Sequence, residues 1–109
     1  MASSTDCSHE AHEHQLVPRR TLERAAAIGA ALGDVERLHL LELLLAGRHC
    51  VSELAEETQA AMPTVSQRLR LLTQAHLVHR TREGRHVFYS LADDHVRQLL
   101  RELLTHADE

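Results

Sequence analysis

Residues 50–75, CVSELAEETQAAMPTVSQRLRLLTQA, decide the fold. Cys50 to Thr58 reads as a short helix that buries Val51, Leu54 and Ala55, and Gln59-Ala60-Ala61 then interrupts the pattern. Met62-Pro63 opens a second helix, with proline in the first turn, where its missing N–H has no partner to lose. Val65, Leu69 and Leu72 repeat at spacings of four and three, so they share an inward face. Thr64, Ser66, Gln67, Arg68 and Arg70 fall on more exposed faces. Two short helices joined by a tight turn, the second polar and basic on its outside, predict a helix-turn-helix.

The neighbouring segments extend this unit in both directions. Leu77–Thr81 and His86–Leu91 read as strands around Arg82-Glu83-Gly84-Arg85, a turn whose glycine supplies positive φ. That hairpin is a wing, with arginines flanking its tip. Upstream, Thr21 is expected to cap a helix running to Leu32, and Gly33-Asp34 to break it. A further helix from Val35 to Ala46 is expected to bury Leu38, Leu41, Leu44 and Leu45, with Gly47 just past its end. The chain closes on DDHVRQLLRELLTHADE, residues 93–109, an amphipathic helix with Val96, Leu99, Leu100, Leu103 and Leu104 on one face. The fold class that follows is mainly α (α+β): a winged helix-turn-helix with a two-stranded wing over residues 18–109, preceded by a flexible polar arm, residues 1–17.

The totals agree with one domain. The 109 residues include one Phe, one Tyr and no Trp, which suits helices packed on Leu and Ala. No apolar run approaches the roughly eighteen residues of a membrane span, and no signal-peptide pattern is present, so a cytoplasmic protein without a membrane partner is expected. In that compartment the two cysteines read as thiols or ligands rather than as a disulfide. The net charge of −4 hides a division. Residues 63–86 set Arg68, Arg70, Arg80, Arg82 and Arg85 against Glu83 alone, a net +4, and the remaining seven arginines face fifteen acids, a net −8. The basic third coincides with the helix-turn-helix and wing, which points to nucleic acid. Thr64, Ser66 and Gln67 are placed to reach base edges in the major groove of double-stranded DNA, Arg68 and Arg70 to touch phosphates or packing partners, and Arg82 and Arg85 to meet the backbone or minor groove.

Ten histidines exceed what packing requires, and two clusters stand out. In the last helix, Asp93 and His95 sit at the start and His106 and Glu109 at the end. His95 and His106 are eleven residues apart and point roughly the same way, yet about 16 Å separates them along the axis. Ligand atoms must lie within about 2 Å of a metal, so one helix cannot close the site. An antiparallel copy can, and a two-fold axis would create two equivalent sites of oxygen and nitrogen ligands. The alternative is that these residues only cap the helix and suit its dipole. The second cluster, CSHEAHEH, holds Cys7, His9, His12 and His14 in the arm, either a metal-binding segment or a solvated tail.

The phrases LGDVERLHLLELLLAGRHCVSELAEE, TVSQRLRLLTQAHLV and REGRHVFYSLADDHV resemble the ArsR/SmtB metalloregulators, most closely their zinc-sensing branch, over residues 21–109. The resemblance implies a homodimer joined through the first and last helices, which represses at an operator inverted repeat and leaves it when metal binds. Genes for metal efflux or sequestration would lie downstream. It places the C-terminal metal site of the zinc sensors on Asp93, His95, His106 and Glu109. It places a second site on Cys50 and Glu53 with Cys7 and one or two of His9, His12 and His14 from the other subunit's arm. Cys50-Val51-Ser52-Glu53 lacks the second thiol of the family's arsenic sensors. Zn(II) is the ion expected, with Cd(II), Pb(II), Co(II) or Cu(I) as alternatives. Two rivals remain: a thiol-redox repressor switched by Cys7 and Cys50, and a metal-buffering protein without a specific DNA function. No phosphate loop or nucleophile motif suggests an enzyme.

Overall fold

A computed structural model describes residues 13–109. Among the described residues the chain forms α1 (Arg19–Leu32), α2 (Val35–Leu45), β1 (His49–Cys50), α3 (Val51–Thr58), α4 (Met62–Gln74), β2 (Val78–Glu83), β3 (His86–Leu91) and α5 (Asp94–Ala107). The helices expected from periodicity are all present. The first begins three residues earlier than expected. Pro18, with its ring holding φ at −64°, presents its carbonyl to the backbone N–H groups of Thr21 and Leu22, so Thr21 lies inside the first turn and is not the cap.

Helix α2 is the centre. It packs against α1, α3, α4, α5 and β3, and Leu40, Leu41 and Leu44 are wholly buried. Because neighbours surround it on several sides, its buried surface is wider than an amphipathic stripe. Leu40 joins the core unexpectedly, while Leu38 and Leu45 are only partly covered. Leu54, Val65, Leu69, Leu72, Leu77, Val96 and Leu100 complete the core from the surrounding elements. Two side chains set the α1–α2 corner. Asp34 Oδ2 accepts from the N–H of Arg37 at 3.0 Å and caps α2. The Arg37 guanidinium turns back to donate to the carbonyls of Ala31 and Ala30 at 2.8 and 3.1 Å, closing the open end of α1.

The helix-turn-helix turn contains Gln59 in the left-handed region, φ 56°, with its N–H bonded back into α3. The wing hairpin forms with Val78 opposite Leu91 and Glu83 opposite His86, leaving Gly84-Arg85 as a two-residue loop. Gly84 has φ +64°, the requirement that placed a glycine there. One expectation is corrected. Cys50 does not open the third helix: with His49 it forms β1, paired antiparallel to β3 as His49↔Tyr89 and Cys50↔Phe88. The two-stranded wing therefore belongs to a three-stranded sheet of order β1-β3-β2. A two-residue strand carries no period to read, so pairing with distant β3 decides it. Among the described residues no helix is long and apolar enough to cross a membrane.

Leu69 is wholly buried where α4 meets the core. Leu69→Ala is expected to cost about 2–5 kcal/mol, read in urea unfolding as a lower midpoint at unchanged slope.

Candidate nucleic-acid interface and metal centre

Helix α4 buries Val65, Leu69 and Leu72 and turns the rest outward. At 3.6 residues per turn, Gln67 points about 170° away from that stripe and Arg70 about 130°. Both are exposed, as are Thr64 and Ser66 on the flanks. Arg68 lies nearer the stripe and is half-buried, so it is the member of the expected set turned toward the body. Gln67 and Arg70 therefore stand foremost on the surface of the second helix of the motif.

The wing supplies the other cations. Arg80, Arg82 and Arg85 are exposed on the hairpin, and Arg82 Nε donates to the Gly84 carbonyl at 3.2 Å, which ties it to the loop. Glu83 does not oppose them, because Arg48 engages it through two hydrogen bonds of 2.8 and 3.2 Å. The Arg48 guanidinium also lies 4.0 Å from the centroid of the Phe88 ring. The hydrogen bonds and charge of Arg48 hold the Glu83 carboxyl below its ordinary pKa of 4.5, and Glu83 raises Arg48 in return. Sequence reasoning missed Arg48. Its partner lies 35 residues away, beyond the reach of any local spacing rule.

On α5 the four expected ligands form two pairs. Asp93 is the N-cap, and its Oδ1 accepts from the N–H of Val96 at 3.0 Å. His95 Nδ1 lies 3.9 Å from the same oxygen. At the other end His106 Nδ1 lies 3.9 Å from Glu109 Oε1. All four side chains are largely open to solvent. The capping role assigned to Asp93 is real, but it engages one carboxylate oxygen and leaves the other free. Among the described residues, no group of three or more His, Cys, Asp or Glu side chains converges tightly enough within one chain to hold a metal. That is what two pairs some 16 Å apart along one helix dictate.

The second expected cluster is only partly within view. Cys7, His9 and His12 lie outside the described residues, and His14 is exposed. Cys50 is a free, half-buried thiol whose Sγ lies 3.1 Å from Ser52 Oγ. Glu53 Oε1 accepts from the Cys50 N–H at 2.9 Å, and this bond is the main reason its carboxyl titrates below the ordinary range. Glu53 thus caps α3.

Comparison with known proteins places this geometry. Residues 34–80 match the model of a family described as bacterial regulatory protein, arsR family. A transcriptional repressor SmtB homolog of Synechocystis is 40% identical over 87 residues, which cover 80% of this chain and 66% of that protein. The HTH-type transcriptional repressor SmtB of Mycobacterium tuberculosis is 35% identical over 92 residues, covering 84% and 68%. The solution structure of a homodimeric winged helix-turn-helix DNA-binding domain, Mb0332 of Mycobacterium bovis, superposes with a TM-score of 0.82 at 30% identity, covering 91% of this chain and 92% of that one. The chain is a member of the ArsR/SmtB family of bacterial regulatory proteins, a winged helix-turn-helix regulator and not an enzyme.

Proposed function

We propose that the protein is a dimeric transcriptional repressor that binds an operator inverted repeat and releases it when Zn(II) bridges its two copies of α5. The observation that carries the proposal is the arrangement along α5: a ligand pair at each end, with apolar surface left open between them. Leu99 is 43% exposed and Leu103 36%, at the open edge of the same apolar face whose inner part, Val96 and Leu100, is buried. At 3.6 residues per turn Leu99 and Leu103 lie within about 80° of His95 and His106. An antiparallel second copy that covers these leucines therefore brings Asp93 and His95 beside the partner subunit's His106 and Glu109. Leu22 of α1, 58% exposed, widens the same kind of surface on the other proposed dimer helix.

The donor set fits the ion. Two carboxylates and two imidazoles are ordinary tetrahedral zinc ligands, and four protein ligands leave no open position, as in structural sites. When bound, Zn(II) supplies a rigid cross-link between the two helices. Within each protomer α5 packs on α2 and β3, which in turn support α4 and the wing. Fixing the angle between the α5 copies therefore fixes the separation of the two α4 helices, which must match successive major grooves one helical turn apart. A mismatch lowers DNA affinity, and coupling of this kind is reciprocal, typically about 1–3 kcal/mol and more for a strong switch. Metal efflux or sequestration genes, and work in the cytoplasm where the operator lies, follow as parts of the proposal. Cys50 with the arm, residues 1–17, would form a second site, its thiolates suited to Cd(II), Pb(II) or Cu(I), while Co(II) would report on the α5 site.

The test is a zinc titration of the protein bound to a labelled duplex that the wild-type chain has enriched from a random pool. Zinc is expected to release the duplex, and unchanged affinity at saturating zinc would reject the switch. His106→Gln is expected to bind the duplex as wild type does and to ignore zinc. If its response survives, sensing belongs to Cys50 and the arm. Gln67→Ala, by contrast, should weaken binding by about 1–3 kcal/mol with or without zinc and relax preference at one base position, read by anisotropy on single-substituted duplexes.

A further inference from the structure

Glu83 is the one acid of the wing, and it stands at the end of β2, next to the loop. A carboxylate there is repelled by the phosphates that Arg82 and Arg85 are placed to meet. Arg48 gives it another purpose. This side chain comes from the link between α2 and β1, takes both Glu83 oxygens at 2.8 and 3.2 Å, and stacks on Phe88 at 4.0 Å. Phe88 is paired with Cys50 of β1 on one side and Thr81 of β2 on the other. Beyond that rung β1 has ended, and the hairpin runs on as a two-stranded ribbon from Arg82↔Val87 to Glu83↔His86. Isolated two-stranded ribbons are marginally ordered. Arg48 reaches past the last rung of β1 and grips the outer end of β2.

We propose that Arg48, Phe88 and Glu83 form a clamp that sets the wing's angle to α4, making Arg48 and Glu83 positioning residues for the DNA contacts of Arg82 and Arg85. The proposal rests on the DNA-binding function above. An exposed ion pair contributes little to stability. A planar fork whose edge meets a carboxylate and whose face lies on an aromatic ring nevertheless defines a direction that a point charge does not. The Glu83 carboxyl is held below its ordinary range, so the clamp is charged at neutral pH.

Glu83→Gln separates this idea from plain electrostatics, because the two predict opposite signs. Removing a negative charge from a DNA-facing surface should tighten binding. Releasing the clamp should weaken it, by about twofold to fivefold, the scale of an exposed ion pair. The dependence of affinity on salt should also become shallower as wing phosphate contacts are lost. Arg48→Lys keeps the charge without the fork, and it is expected to behave like Glu83→Gln. The probe is the duplex enriched by the wild-type chain, and circular dichroism checks the fold of each variant. A DNA-free measurement runs beside it: backbone amide order parameters at Gly84 and Arg85 should fall in both variants. Tighter or unchanged binding by Glu83→Gln, or unaltered order parameters, overturns the clamp. If the wild-type chain enriches no duplex, the DNA-binding function fails instead, and the order parameters still decide whether the clamp exists.

Discussion

A chain of this length has enough apolar surface for one core, and α2 occupies its middle. Leu40, Leu41 and Leu44 vanish from solvent because α1, α3, α4, α5 and β3 all pack around them. Everything else is arranged by what that core leaves uncovered. Helix α1 has no fully buried residue, and α5 turns Val96 and Leu100 inward but leaves Leu99 and Leu103 open. Burying a leucine is worth roughly 1.5–3 kcal/mol, so leaving an apolar edge in water is a standing drive toward a second copy. The proposed dimer satisfies that edge with the same helix that carries the proposed metal ligands. Packing and sensing would then be one contact.

A second surface of the molecule is organised by charge. Gln67 and Arg70 lead the outward face of α4, and Arg80, Arg82 and Arg85 line the wing. Arg48 reaches from the body to neutralise Glu83, so the four exposed arginines of this region, Arg70, Arg80, Arg82 and Arg85, face outward without an unpaired acid among them. The acidic excess elsewhere orients the molecule, since a polyanion is drawn to one surface and repelled by the rest.

Much of this was legible in the sequence, for reasons that can be located. The periods of α4 and α5 are strong because each has one buried face, and Val65, Leu69 and Leu72 are wholly buried as their spacing requires. The place of the wing turn follows from Gly84, but the expected four-residue turn shrinks to Gly84-Arg85 because Arg82 and Glu83 pair with Val87 and His86. The residues that escaped notice act across distance or against local rules. Cys50 reads as helix by composition and becomes strand because β3 lies beside it. Pro18 starts α1 ahead of Thr21, the better cap by type. Arg37 and Arg48 bond to groups their own neighbours do not reveal, the α1 carboxyl-terminal carbonyls and the Glu83 carboxylate. The Asp93/His95 and His106/Glu109 pairs of α5 lie together as their spacing suggests. That they stand at separate ends of one rod, each open to solvent, is the geometric fact from which the need for a second copy is argued.

The sharing of ligands between subunits can be measured by mixing variants. Asp93→Asn and His106→Gln each spoil both sites of a homodimer. In a mixed dimer one site carries both substitutions and the other carries neither. Zinc binding by calorimetry is therefore expected to be lost at the α5 sites in each homodimer and to return at one intact site per mixed dimer. A mixture that binds no more zinc there than its parents would contradict the antiparallel, shared site.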